Sequence, residues 1–152
     1  MDLCSQPITQ AMTTDEEHEP AKLTTDIRQT TDIVLARSFV RKVAGKVGFG
    51  LADQTRLATA VSELARNILQ YAGEGFCEIA DASDKNEIRL RIVIGDHGPG
   101  IVDIDKAMKD GFSTSGGLGA GLPGTRRLMD DFSIDSQPGL TRITIALARK
   151  RS

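Results

Sequence analysis

The 152-residue chain has no apolar run approaching the roughly 18–20 residues a membrane-spanning helix requires. Its first residues carry no basic-then-apolar signal pattern, so a cytoplasmic location is expected. Cysteine is scarce. Cys4 sits in a polar stretch and Cys77 in an apolar one, and neither has a second ligand at metal spacing. A disulfide framework and a zinc site are thereby excluded, and a reducing compartment is the simplest setting. Excess positive charge is missing too, with a formal net charge of −2. That balance lacks the basic footprint of a nucleic-acid binder.

The charge is unevenly placed. Residues 1–22 hold Asp2, Asp15, Glu16, Glu17 and Glu19 against Lys22, a sum of −4, so the other 130 residues carry +2. We read residues 1–22 as a disordered acidic tail and residues 23–152 as one domain, a length with enough apolar content for a core.

Periodicity then divides the domain. A short strand is expected near Leu23–Gln29. Beyond Thr31, a candidate N-cap, Leu35, Phe39, Val43 and Val47 recur every fourth residue and predict an amphipathic helix ending at Gly48. Asp53 is the candidate cap of a second helix, with Leu57, Val61, Leu64, Ile68 and Tyr71 as its stripe and Gly73 as its stop. Strands follow at about 75–82 and 87–95. In the second, Ile88, Leu90, Ile92 and Ile94 alternate with Arg89, Arg91 and Val93, which buries one face. A short helical piece (103–109), a helix over 122–131 and strands at 132–137 and 140–148 complete the string βααββαββ. It predicts an α+β two-layer sandwich with helices on one face of a mixed β-sheet.

Glycine is abundant where the rest of the chain is spare. GFSTSGGLGAGLPG, residues 111–124, has six glycines in fourteen positions. Its G-x-G-x-x-G at Gly119–Gly124 does not directly follow a strand, so it is not a dinucleotide fingerprint. It has no following Lys-Ser or Lys-Thr for a Walker A loop, and no downstream kinase catalytic loop. What remains is a glycine-hinged segment entering a helix N-terminus, with Pro123 in the first turn. Such a terminus offers bare amides and a dipole to a phosphate, and an ordinary flexible loop is the equal alternative.

Four other residues bear on that choice. Glu63 and Asn67, four apart in SELARN, share one helix face at the edge of the apolar stripe. They read either as a solvated flank or as a carboxylate base beside a magnesium ligand, the Asn67 amide oxygen. Asp96, in Asp96-His97-Gly98-Pro99-Gly100, keeps the parity of the buried residues of its strand. It either starts a turn or points its carboxylate inward, where an adenine amino group is a natural donor. Thr141 opens the last strand on its apolar parity and either lines the same pocket or is an ordinary strand residue.

An E-x-x-x-N helix, a strand ending in Asp-x-Gly-x-Gly and a glycine-rich segment opening a helix together resemble the Bergerat (GHKL) ATP-binding fold. SELARN, the Asp-x-Gly-Pro-Gly-Ile box, Asp110–Gly124 and Arg127-Leu128-Met129-Asp130 are similar to the RsbT-type bacterial switch serine kinases. The resemblance covers about residues 23–149. It implies ATP and Mg2+ as ligands, with Asn67 on the magnesium and Asp96 on the adenine. Gly98, Gly100, Gly116, Gly117, Leu118, Gly119, Ala120, Gly121 and Thr141 would complete the nucleotide site, the glycine segment closing as a lid. Glu63 would be the catalytic carboxylate, and Lys106 and Arg126 could offset phosphate charge. The implied substrate is a serine or threonine of a STAS-domain scaffold protein of a stressosome, and the freed kinase would activate a PPM-type phosphatase. An RsbW-like anti-sigma factor kinase and a non-catalytic ATP-sensing module stay open as alternatives. So does a homodimer.

Overall fold

The computed structural model describes residues 22–98, 108 and 121–151. Its elements are β1 (Lys22–Ile27), α1 (Thr30–Val47), α2 (Leu51–Tyr71), β2 (Gly75–Asp81), β3 (Glu87–Asp96), α3 (Gly121–Leu128), β4 (Asp131–Gln137) and β5 (Leu140–Lys150). The expected short helix at 103–109 falls almost wholly outside these residues, as does the acidic stretch up to residue 21.

The strands form one sheet in the order β1-β2-β3-β5-β4. Every pairing in it is antiparallel, which corrects the expected mixed sheet. The physical reason is the connections. Short turns join β2 to β3 and β4 to β5, and turns of that length reverse the chain.

The alternation of β3 is realised. Ile88, Leu90, Ile92 and Ile94 are buried, while Arg89, Arg91 and Val93 on the other face are half-buried. The core lies between that inward face and the α1–α2 pair, with Ile27, Leu57, Val61, Leu64, Ile79, Ile145 and Leu147 among its most enclosed residues. At roughly 25 cal/mol per Å2 of apolar surface, each such side chain contributes about 1.5–3 kcal/mol.

The helices differ from expectation in phase and in caps. In α1 the buried residues are Ile33, Ala36, Val40 and Ala44; Phe39, Val43 and Val47 flank them, and Leu35 is 63% exposed. A strict four-residue repeat drifts by about 40° per step around a 3.6-residue helix, so its first member leaves the buried face. Tyr71, at the end of the α2 stripe, is likewise exposed. Gln29, not Thr31, occupies the N-cap of α1, and Asp32 Oδ2 accepts from the backbone N–H groups of Arg28 and Gln29. Gly50, not Asp53, precedes α2. Asp53 instead receives both Nε and Nη2 of Arg149 on β5, at 2.9 and 2.8 Å, pinning the start of α2 to the last strand.

Candidate nucleotide and catalytic site

α2 supplies the first part of the site. Leu64, Ala65 and Ile68 hold its inner face against the core, which fixes the rotation of the helix and hence of Glu63 and Asn67. Glu63 is only 5% exposed, which removes the solvated-flank reading of this residue. Arg66, one turn on, donates from Nη1 to Glu63 Oε2. Glu63 Oε1 is buried with no hydrogen-bond partner among the described residues. An unpaired buried acceptor costs about 1–3 kcal/mol, and more when charged, so such an oxygen is completed by a water, an ion or a ligand. Asn67 is half-buried one turn further along.

β3 and β5 supply the second part. Asp96 ends β3 half-buried, and its neighbour across the ladder is Thr141. Thr141 is buried, and its Oγ1 lies 2.8 Å from Ser136 Oγ on β4, so the hydroxyl orientation is set by the adjacent edge strand. Asp96 Oδ1 accepts from Gly98 N at 2.8 Å, so the turn after β3 is tied to the carboxylate. Gly98 O in turn accepts from Gly139 N at 3.0 Å, in the β4–β5 turn where Gly139 has φ +92°.

Gly98 is also a point of close approach. A Cβ there would lie 2.8 Å from Ala72 Cβ and 3.1 Å from Asp96 Oδ1. Only glycine lets this turn lie against the end of α2 while Asp96 keeps its position.

α3 supplies the third part. Gly121 opens it at φ +71°, a conformation that favours glycine. The helix packs on α2 through buried Leu122 and Thr125, the latter donating from Oγ1 to Gly121 O at 3.3 Å. Arg126 is exposed in its last turn.

Of the expected residues, Glu63, Asn67, Asp96, Gly98, Gly121, Arg126 and Thr141 are described. Gly100, Lys106, Gly116, Gly117, Leu118, Gly119 and Ala120 lie outside the described residues. Glu63 and Asn67 share one face of α2, and Asp96, Gly98 and Thr141 share one end of the sheet. A hollow of about 650 Å3 beyond the C-terminal end of α2, lined by Arg28, Phe76 and His97 among others, touches only Gly98 of the expected set. It is open and polar, and the candidate site is defined by the α2 pair and the sheet-end group above, not by this hollow.

Arg66 was not singled out in the sequence. Its signal was present as the i,i+3 spacing from Glu63, a common surface pattern that becomes informative only once Glu63 is known to be buried.

The donor set fits a magnesium–triphosphate. A magnesium ion shared with phosphates takes one or two protein oxygens, and the Asn67 amide can give one. Among the described residues no group of three or more His, Cys, Asp or Glu side chains converges. No helix among them is long and apolar enough to cross a membrane.

Comparison with known proteins bears on the family and the fold. The histidine kinase-like ATPase domain family matches residues 28–147. The serine/threonine-protein kinase RsbT of Bacillus subtilis is 58% identical over 108 residues, which cover 71% of this chain and 81% of RsbT. An anti-sigma F factor of Caldanaerobacter subterraneus is 30% identical over 125 residues, covering 76% of this chain and 86% of that protein. Among solved structures, the RsbU and RsbW domains of a Mycobacterium tuberculosis protein superpose with a TM-score of 0.63 at 16% identity, over 87% of this chain and 33% of that one. This chain therefore spans about a third of the length of that two-domain structure, and the likeness is one of fold. The chain belongs to the histidine kinase-like ATPase domain family, and within it groups with the serine/threonine-protein kinases of the RsbT type.

Proposed function

We propose that the chain binds ATP with magnesium and transfers a phosphoryl group to a serine or threonine of a STAS-domain protein in a stress-signalling assembly. Released from that assembly, it activates a PPM-type phosphatase. The observation that carries the reading is Glu63: a carboxylate buried on α2, one oxygen engaged by Arg66 and the other without a partner among the described residues.

Each residue then has a task. Asp96 accepts from the adenine amino group while Gly98 N steadies its other lone pairs, and Thr141 places a hydroxyl beside it. Asn67 offers its amide oxygen to magnesium, which when bound offsets phosphate charge. Glu63 Oε1 accepts the proton of the attacking hydroxyl, a role worth typically about 10²–10⁴-fold. Arg126 stands in the last turn of α3, exposed and available to phosphate charge. Lys106 and the glycines at 116–121 complete the site in this proposal. Binding alone would not require a carboxylate at position 63, which favours an enzyme over a sensing module.

The 30% identity to an anti-sigma F factor supports a second reading, an RsbW-like kinase that also holds a sigma factor directly. The deciding experiment incubates the chain with labelled ATP, magnesium and a co-encoded STAS-domain protein, with and without sigma factors. Label on a serine or threonine of the STAS protein, without sigma capture, is expected. Stable sigma capture would favour the second reading, and tight ATP binding with no label on any STAS protein would overturn the kinase assignment.

A further inference from the structure

We infer that Arg66 is a positioning residue for the phosphoryl-transfer site: its guanidinium anchors the Glu63 carboxylate through Oε2 and so leaves Oε1 without a protein donor, to be completed by the incoming hydroxyl. The inference rests on the proposed role of Glu63 as the base.

Three observations carry it. Glu63 is 5% exposed, so water contributes little to fixing its carboxylate. Arg66 Nη1 engages Oε2 alone, leaving Oε1 buried and unpartnered among the described residues. The two oxygens are therefore inequivalent, one anchored and one unpaired. The third observation is where Arg66 comes from. Its side chain is 37% exposed, against 7% for that of Glu63, so it approaches from the solvent side and completes the carboxylate from outside the core.

A merely structural ion pair at this spacing on a helix contributes little. Such a pair would not require one partner to be buried with an orphan oxygen. Without the cation the plane of the buried carboxylate is held by packing alone, and its angle about the broad last torsion is less closely fixed. A base must sit within hydrogen-bond reach of the proton it takes. Fixing that torsion is what Arg66 contributes, and it does so without touching nucleotide or substrate. A lysine at this position keeps the charge and a single donor, which is all that one contact to Oε2 requires.

The test compares wild type with Arg66→Met, Arg66→Lys, Glu63→Gln and the Glu63→Gln/Arg66→Met double variant. Transfer of label from ATP to the STAS-domain protein gives kcat and KM for each. Arg66→Met is expected to lower kcat by roughly 10- to 100-fold, the scale of a misplaced catalytic group, with KM for ATP unchanged. Arg66→Lys should recover most of that loss. Adding Arg66→Met to Glu63→Gln should cost nothing further, since Arg66 acts only through Glu63.

A second readout does not depend on activity. The 13C NMR signal of the Glu63 side-chain carboxyl carbon, assigned by its loss in Glu63→Gln, should be a single sharp line in wild type and Arg66→Lys. In Arg66→Met it should shift and broaden. An unchanged line together with unchanged kcat in Arg66→Met overturns the inference, as does a loss that multiplies in the double variant. Full transfer by Glu63→Gln is a separate failure. It would remove the base assignment itself, whereas an inactive Glu63→Gln beside a fully active Arg66→Met would leave the base and discard only Arg66.

Discussion

Replacing Gly98 with alanine tests whether the end of α2 and the turn after β3 are built as one unit. The new Cβ would lie 2.8 Å from Ala72 Cβ and 3.3 Å from Ala72 Cα. Carbon atoms rest at about 3.5–4.0 Å, so roughly 0.7 Å or more must be gained. Ala72 cannot yield easily. It is the C-cap of α2, and its N–H donates to Ile68 O at 2.8 Å, with Ile68 itself in the core. The displacement therefore falls on the turn, which is tied to Asp96 Oδ1 and to Gly139. Overpacking of this kind costs about 1–3 kcal/mol. Because the movement is at Asp96, the affinity for ATP should fall along with stability.

The same geometry supplies its own control. Ala72→Gly removes the opposing Cβ, and at φ −121° and ψ −16° the position needs no glycine, so alone it costs only about 0.5–1 kcal/mol. In the Ala72→Gly/Gly98→Ala protein the clash is relieved, and a favourable coupling of about 0.5–3 kcal/mol is expected. Urea unfolding of the four proteins, with fluorescent-nucleotide titration of each, measures both effects. A Gly98→Ala protein as stable and as tight as wild type would refute the argument. So would strict additivity of the two changes.

Further tests probe the nucleotide contact and the core beneath it. Asp96→Asn turns a charged acceptor into an amide that can present its nitrogen to the adenine amino group. Affinity should fall by about 1.5–3 kcal/mol, read by calorimetric titration. Cys77 is fully enclosed in β2, and burial pushes its thiol up to about 12, with Glu78 adding to the shift. A folded pKa above the unfolded value of about 8.5 means that this contribution is intact below pH 8.5 and is lost as pH rises toward 12, by about 1.4 kcal/mol per unit within that window. Urea unfolding between pH 8 and 10 should show that alkaline slope flattened in Cys77→Ala, although the smaller side chain lowers stability overall. An equal slope in both proteins would contradict it.

The parts of the fold that were legible are those where a single period dominates. β3 alternates cleanly because one face packs on helices and the other does not, so its inward set could be read residue by residue. In α1 the expected stripe lies at the edge of the buried face, with Phe39, Val43 and Val47 packed against the core and Leu35 outside it. The closest packing of α1 uses Ala36 and Ala44, small residues that carry little hydrophobic signal, whereas Leu35 carries much and stays outside. Strand direction was misjudged because a string of elements fixes neither neighbours nor their sense.

At the candidate site, helical spacing puts Glu63 and Asn67 on one face of α2, and strand parity marks Asp96 and Thr141, which pair across the ladder. Contacts between distant positions were not readable in this way. Nothing local links Gly98 to Ala72, or Asp53 to Arg149, 96 residues away. Asp53 looked like a helix cap because short carboxylates at helix starts are usually caps, and a bidentate arginine from the last strand claims it instead.

In the proposed mechanism Glu63 acts on the attacking hydroxyl and not on the nucleotide. Glu63→Gln keeps the shape and size of the side chain and removes the basic oxygen pair, so it separates these roles in one protein. The measurement is magnesium–ATP affinity and the rate of label transfer to a STAS-domain serine or threonine, made on the same preparation. Affinity equal to wild type is expected, with transfer reduced about 10²–10⁴-fold. Transfer at the wild-type rate, with affinity equally intact, would contradict it.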